Sequence, residues 1–96
     1  MSVVYHPAVQ GDVSRILRHY DSITPRLGDE FWEELNTFIQ RAVANPAHFH
    51  FQTRDHRRVN LRRFPYHFLF REISGGIRIT AVRHHKQHPE HGLERR

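Results

Sequence analysis

Arginine and histidine side chains that could act on an anionic group are concentrated in the second half of the chain. Arginine can contact a phosphate through two parallel hydrogen bonds, and a histidine near its intrinsic pKa can donate or accept a proton at neutral pH. Together they could bind a phosphate ester or support acid–base chemistry on it. The candidates are Arg63, Arg71, Arg83, His84, His85 and Lys86.

The charge of the chain is divided unevenly between its two halves. Residues 1–45 contain four arginines and six acidic residues, whereas residues 46–96 contain eleven lysines and arginines and four acidic residues. Eight of the ten histidines also lie in the second half. Such a basic half attracts nucleic acid, an acidic peptide or an acidic protein surface, and the charge alone does not distinguish these partners.

Histidines near the C-terminus raise the question of a metal site. Zinc sites need ligands on a rigid scaffold, usually with cysteine or carboxylate support. Pro89 interrupts any helix in this region, and the sequence contains no cysteine. We therefore predict only adventitious metal binding, no functional metal site and no cofactor. The histidines concerned are His84, His85, His88 and His91.

Length and composition indicate one soluble domain spanning residues 1–96. The absence of cysteine rules out disulfides and thiolate chemistry, which fits a reducing cytosol. The sequence has no apolar run of about 18 residues, as a membrane helix requires, and its N-terminal segment lacks the features of a secretory signal. We therefore expect a cytoplasmic protein with no membrane partner.

Two amphipathic helices are predicted in the first half. The first begins at His6-Pro7, because a proline in the first turn of a helix removes no helical hydrogen bond. It carries apolar residues at spacings of three and four. Thr24 can cap the second helix, and Asn45-Pro46 ends it. The short break between the helices predicts an antiparallel helical hairpin.

The hydrophobic period changes to two after a predicted loop at residues 46–57. Ser74-Gly75-Gly76 is typical of a tight hairpin, because glycine accepts positive φ. The predicted order is β-α-α-β-β-β, an α+β fold with the helical hairpin packed on one face of a small antiparallel sheet. The predicted strands are residues 3–5, 58–62, 66–73 and 77–83.

The helices can cover only one face of this sheet, so the opposite face is expected to be available for function. The strand at residues 66–73 has apolar residues on both faces, which indicates that another part of the chain or a partner covers the second face. Arg57 and Arg58 are expected at a solvated strand edge.

Several segments match a known pattern in order and spacing. Residues 24–31 (TPRLGDEF) open the second helix and residues 44–46 (ANP) end it. Residues 62–71 (RRFPYHFLFR) enter the central strand, and residues 77–89 (IRITAVRHHKQHP) form the ending. In the order β-α-α-β-β-β, these segments resemble the RelE/ParE family of bacterial toxins, and they look closest to its ParE-like branch of plasmid stabilisation proteins.

The resemblance implies the toxin of a type II toxin–antitoxin pair, neutralised by a small acidic antitoxin encoded by the adjacent gene. ParE-like members inhibit DNA gyrase, whereas RelE-like members are mRNA interferases that cut messages in the ribosome. We expect a gyrase inhibitor in a toxin–antitoxin hetero-oligomer, with a RelE-type endoribonuclease as the alternative. A non-toxic, basic nucleic-acid-binding module would explain the charge equally well, but not the family-like ending.

If the chain cleaves RNA, the resemblance makes Arg63, Arg83 and His84 the candidate catalytic residues. Alternatively, His84 orients the C-terminal loop by hydrogen bonding. An arginine common in the family near Lys86 is not clearly kept, and the last strand lacks a tyrosine that some ribonuclease members carry. Residues expected to bind the target or the antitoxin are Arg62, Tyr66, Arg71, His85 and Lys86.

Overall fold

The computed structural model describes residues 2–96. Two long helices lie on one face of a four-stranded sheet with the strand order β1-β4-β3-β2. The predicted β-α-α-β-β-β order and the α+β class are confirmed. None of the helices in the described chain is long and apolar enough to cross a membrane. The elements are β1 (Ser2–Tyr5), α1 (Val9–Asp21), α2 (Pro25–Ala44), a short 3-10 helix (Pro46–His48), β2 (Arg57–Asn60), β3 (Tyr66–Ile73) and β4 (Gly76–His84).

Local signals in the sequence set the limits of α2. Thr24 caps the helix by accepting the Leu27 N–H on its side-chain oxygen at 3.2 Å, and Pro25 occupies the first turn. The helix ends at Ala44 because Asn45 leaves the helical region of backbone geometry. Both ends therefore lie where the capping residue and the Asn-Pro pair predicted them.

Helix α1 starts slightly later than its first proline suggested. His6 accepts the Ala8 N–H on Nδ1 at 3.1 Å, so residues 6–8 form a turn before the helix begins at Val9. The apolar stripe of α1 then faces the sheet, with Val9, Ile16 and Tyr20 buried. The predicted stripe is confirmed, although the helix is shorter at its N-terminus.

The core lies between the helical hairpin and the sheet. Phe31 of α2 packs edge-on against Phe64 and Tyr66, with ring centroids 5.4 and 5.5 Å away. Such aromatic pairs stabilise a core beyond the area that they bury. Other buried members are Val9, Ile16, Tyr20, Leu35, Ile39, Val59, Phe68, Phe70, Ile77, Ile79 and Val82.

The sheet is mixed rather than fully antiparallel, because β1 runs parallel to β4. Ser2 pairs with Gly76 and Tyr5 with Ile79, and the His6 N–H donates to the Ile79 carbonyl at 2.8 Å. The parallel direction brings the chain to the middle of β4, where α1 must begin in order to pack on that strand. If β1 ran antiparallel to β4, the chain would instead leave β1 beside the start of β4, at the β3–β4 hairpin.

A β-bulge in β4 changes which residues face the helices. Leu69 pairs with Ala81 while Phe70 pairs with Ile79, so Thr80 is an extra residue on β4. Because an extra residue reverses the alternation of side chains, Ile79 and Val82 both belong to the core on the helix side. Strict alternation through residues 77–83 would have placed them on opposite faces.

The C-terminal segment, residues 85–96, crosses the sheet face that the helices leave uncovered. Gly92 lies so close to the sheet that a Cβ on it would come within 2.9 Å of the Ala81 Cβ. Leu69 and Ala81, at the centre of this face, are fully buried. The expectation of a sheet face free for function is therefore wrong at its centre, and the chain itself provides the second layer.

Candidate functional site

The candidate catalytic residues Arg83 and His84 lie on opposite faces of the sheet. His84 pairs with Tyr66 across the β3–β4 ladder, and their rings lie 4.9 Å apart on the helix side. Arg83 pairs with His67 on the other face. His84 also accepts the Lys86 N–H on Nδ1 at 3.0 Å, so it orients the turn that follows β4.

Arg63, the third candidate, lies in the connection between β2 and β3, beside helix α2. Its guanidinium forms a salt bridge with Glu30 at 2.7 Å, and its backbone N–H donates to Glu34 at 3.0 Å. The hydrogen bond from Arg63, followed by that from Arg26, lowers the pKa of the Glu30 carboxyl. Arg63 is therefore held at an exposed, helix-side position, and the three residues form no common site.

Arg83 is buried, with 2% of its surface exposed. Its Nε donates to His67 Nε2 at 2.7 Å, and its Nη1 donates to the carbonyls of Pro89 and His91, both at 2.7 Å. These contacts tie β4 to β3 and to the C-terminal segment. In this arrangement the Arg83 guanidinium is held by contacts within the protein.

Arg58, His67, Arg83 and His85 form one hydrogen-bonded group, which we name the Arg–His cluster. His67 Nδ1 lies 2.9 Å from His85 Nδ1, and the two rings are nearly parallel, with centroids 5.1 Å apart. Arg58 Nη2 lies 3.3 Å from the same His85 nitrogen. The cluster joins β2, β3 and β4 at the end of the sheet where β4 stops.

The donors in the cluster determine the tautomer of each histidine. A guanidinium can only donate, so His67 accepts from Arg83 on Nε2 and carries its own proton on Nδ1. His67 then donates to His85 Nδ1, which also faces an Arg58 N–H. His85 Nδ1 is therefore an acceptor, and its proton lies on the other nitrogen, Nε2.

Burial and the surrounding cations keep both histidines uncharged at neutral pH. Burial, followed by the charges of Arg58 and Arg83, lowers the pKa of His67 to about 3. Burial and the charge of Arg58 also lower the pKa of His85. A neutral His85 with its proton on Nε2 is a hydrogen-bond donor toward solvent, and it is not poised to act as a general base.

The expectation of a solvated edge for Arg57 and Arg58 is wrong, since both side chains are half-buried. Arg57 forms a salt bridge with Glu72 at 2.8 Å and lies over the ring of Phe51 at 4.0 Å. Burial lowers the pKa of Arg58. The loop at residues 49–56 folds back along β2 and shields these side chains from solvent.

The other residues expected to bind a target or antitoxin lie on three different surfaces. Tyr66 is half-buried in the core cluster, and Arg62 is exposed beside α2. Arg71 lies on the far face of the sheet, half-buried. Lys86 and His85 are exposed just after β4, and of the five only His85 belongs to the Arg–His cluster.

Sequence reasoning missed the contacts that Asp12, Arg58, His67 and Arg95 make in the folded chain. Asp12 is buried among the hydrophobic residues of the apolar stripe of α1. A charged residue within such a stripe was a signal that the sequence offered. His67 likewise occupies an inward position in a buried strand. No local pattern marks Arg58 or Arg95, because their partners come from distant parts of the chain.

An apolar groove of about 550 Å³ lies between the two helices and the end of β1. Trp32 lines it and is 51% exposed. A contiguous apolar groove with an exposed aromatic side chain in it is typical of sites that bind a ligand or a partner. Tyr5, Val13, Leu17 and Leu35 also line the groove.

The C-terminal histidines do not assemble into a metal site. Among residues 2–96, no group of three or more histidine, cysteine or carboxylate side chains could hold a metal ion. His67 and His85 do approach each other, but Arg58 and Arg83 occupy the adjoining positions and would repel a cation.

No protein-family model matches the chain, and no curated protein matches it in sequence. A solved chain of the chromosomal ParDE TA system from P. aeruginosa is similar in structure, with a TM-score of 0.73 and 18% sequence identity. The similarity covers 88% of this chain and 95% of that one. The chain therefore has the RelE/ParE-like fold that its sequence motifs indicate.

Proposed function

We propose that the chain is the toxin of a type II toxin–antitoxin pair, of the ParE-like branch, and that it arrests growth by inhibiting DNA gyrase. The observation that carries the proposal is the similarity to a ParDE chain over 88% of this chain. Fold alone does not fix function, but the family-like segments at residues 62–71 and 77–89 lie in this same fold.

The arrangement of the candidate catalytic residues supports inhibition by binding rather than RNA cleavage. General acid–base catalysis requires groups within hydrogen-bond reach of one substrate position. Arg63 is paired with Glu30, Arg83 is buried, and His84 faces the helix side. An inhibitor of gyrase needs no such convergence, because it acts through a surface.

We propose that the neutralising partner is an acidic, amphipathic segment of the antitoxin that places apolar side chains in the groove beside Trp32. The groove is apolar and exposes part of an indole ring. The groove is lined mainly by residues 5–39, so it binds the apolar side chains, while the positive charge of the second half attracts the acidic antitoxin to the protein as a whole. Amphipathic segments bind such grooves through side chains at helical spacing.

The test is inducible expression in bacteria, with and without the adjacent small gene, followed by pulse labelling of DNA and protein synthesis. Growth arrest with an early fall in DNA synthesis, relieved by the neighbouring gene, is the expected result. An early fall in protein synthesis with cut messages would instead identify a RelE-type endoribonuclease. No arrest, together with salt-sensitive binding to bulk DNA or RNA, would favour the non-toxic nucleic-acid-binding module.

Matched variants separate the two toxic mechanisms. Arg63→Gln and His84→Gln change candidate catalytic residues whose side chains lie outside the buried core. A gyrase inhibitor that uses neither residue keeps its toxicity in both variants, whereas a ribonuclease loses it. Arg83→Ala is a weaker test, because removal of a buried guanidinium that donates three hydrogen bonds also destabilises the fold.

Trp32→Ala tests the proposed antitoxin surface. The side chain is half exposed, so its removal is expected to leave the fold intact while it weakens antitoxin binding at least ten-fold. Binding is measured by calorimetry with the purified antitoxin. Gln40→Ala, at an exposed position of the same helix, is the control and should bind normally. If the two variants bind the antitoxin with equal affinity, the antitoxin binds another surface of the protein.

A further inference from the structure

Arg58 is a half-buried cation with no anionic partner. The salt bridges within residues 2–96 join other residues, and none of them includes Arg58 or Arg83. The nearby carboxylates are already engaged: Glu72 with Arg57, and Asp55 with Arg96. A buried charge is normally paired with an opposite charge. Arg58 has no such partner, so the positive charge at this end of the sheet is uncompensated.

Arg58 is held by three neutral side chains that each turn an acceptor atom toward it. Its Nε donates to Asn60 Oδ1 at 2.7 Å, and its Nη1 donates to Gln52 Oε1 at 3.3 Å. Its Nη2 faces His85 Nδ1 at 3.3 Å. These bonds use three of the five guanidinium N–H groups, so two remain for a bound molecule.

The same arrangement leaves additional donors beside Arg58. Since a guanidinium offers only donors, Asn60 and Gln52 must present their oxygens to it, which leaves both side-chain NH₂ groups free. His85 accepts on Nδ1 from His67 and so carries its proton on Nε2. The guanidinium thus lies beside the amide N–H donors of Asn60 and Gln52, and no salt bridge within residues 2–96 gives it a carboxylate.

We propose that Arg58, with Gln52, Asn60 and His85 around it, binds a phosphate-class oxyanion. Arg58 supplies the charge and two N–H groups, and the side-chain amides of Gln52 and Asn60 supply further donors, while His85 holds Arg58 in place through its Nδ1. His67 acts as a positioning residue, because its contact with Arg83 fixes its tautomer and thereby that of His85. Charge-assisted hydrogen bonds of this kind are about twice as strong as neutral ones. The site does not depend on toxicity or on an antitoxin.

The test is an NMR titration of the purified full-length protein at constant ionic strength with two probes, inorganic phosphate and a dinucleoside monophosphate. Shifts of the Arg58 Nε–H and the Asn60 and Gln52 side-chain amides are followed. Saturation by either probe supports the site: phosphate alone indicates free or terminal phosphates, and the dinucleotide alone indicates a phosphodiester. No shift of Arg58 with either probe overturns the proposal.

Two variants and one control make the test specific. Arg58→Gln is expected to weaken binding at least ten-fold, whereas Arg54→Gln removes the same charge from an exposed neighbouring position and should bind as the wild type does. Asn60→Asp preserves the shape of the residue but gives Arg58 an internal carboxylate, so it should also lose binding. Wild-type affinity in a folded Asn60→Asp protein overturns the proposal even if Arg58→Gln fails to fold.

Discussion

Asp12 and Arg95 form a salt bridge, with Arg95 Nη1 lying 2.6 Å from Asp12 Oδ2, although they are 83 residues apart in sequence. Asp12 is 2% exposed and also accepts the Val82 N–H at 3.0 Å. Arg95 donates as well to the Thr80 carbonyl at 3.2 Å, beside the bulge of β4. This pair fastens the C-terminal segment to α1 and to the edge of the sheet that β1 leaves free.

Asp12→Asn should lower the free energy of unfolding by about 3–5 kcal/mol, the usual cost of breaking a buried ion pair. The asparagine could still accept the Val82 N–H, but it would leave the charge of Arg95 unpaired. Arg15→Gln is the control, because it removes an exposed partner of the same carboxylate and should cost less than about 1 kcal/mol. Urea unfolding measures both; equal losses would show that the buried pair has no special role.

His67 should make the fold sensitive to mild acid. Its pKa of about 3 in the folded protein lies well below the ordinary value near 6.5. The unfolded chain therefore binds the proton more readily than the folded protein does. As a result, the contribution of His67 to the free energy of unfolding is fully present above about pH 6.5 and is lost as the pH falls toward 3. The loss approaches about 1.4 kcal/mol per pH unit in the middle of this window.

His67→Gln is the matched variant for this pH dependence. Glutamine can accept from Arg83 and donate to His85, but it does not titrate. Urea unfolding of the two proteins between pH 7 and pH 4 should show a shallower decline for the variant. Parallel declines would mean that His67 is not the group responsible.

Gly92 and Gly75 provide a matched pair for the packing of the C-terminal segment. Both have positive φ, at +82° and +79°. Gly75→Ala faces open space, so it should cost only the backbone strain of about 1–2 kcal/mol. Gly92→Ala adds a contact of 2.9 Å with the Ala81 Cβ and should cost about 1–3 kcal/mol more. Similar melting temperatures for the two variants would contradict the close packing of this segment on the sheet.

Phe31 and Trp32 are neighbours with opposite roles in stability. Phe31 is fully buried among aromatic rings, so Phe31→Ala should cost about 3–5 kcal/mol. Trp32 is half exposed, and Trp32→Ala should stay within about 1 kcal/mol of the wild type. Thermal unfolding compares the two. A large loss for Trp32→Ala would mean that the groove is part of the core rather than a binding surface.

The sequence by itself determined the elements and their order, because the signals for them are local. Thr24 and Pro25 start α2, glycine at position 75 takes the positive φ of the β3–β4 hairpin, and apolar spacing marks the inner face of α1. The sequence also carried the family-like segments of strands β3 and β4. Each of these signals spans a few residues and needs no knowledge of what packs against them.

Only the tertiary structure decided which face each strand residue occupies and what covers the second sheet face. The bulge at Thr80 reverses the alternation in β4, and no local signal reveals that extra residue. Coverage by the C-terminal segment depends on the bond between Asp12 and Arg95, whose partners lie at the two ends of the chain. The Arg–His cluster likewise requires β2, β3 and β4 to meet. Long-range pairing of charges is set by the folded arrangement, so it could not be derived from spacing along the chain.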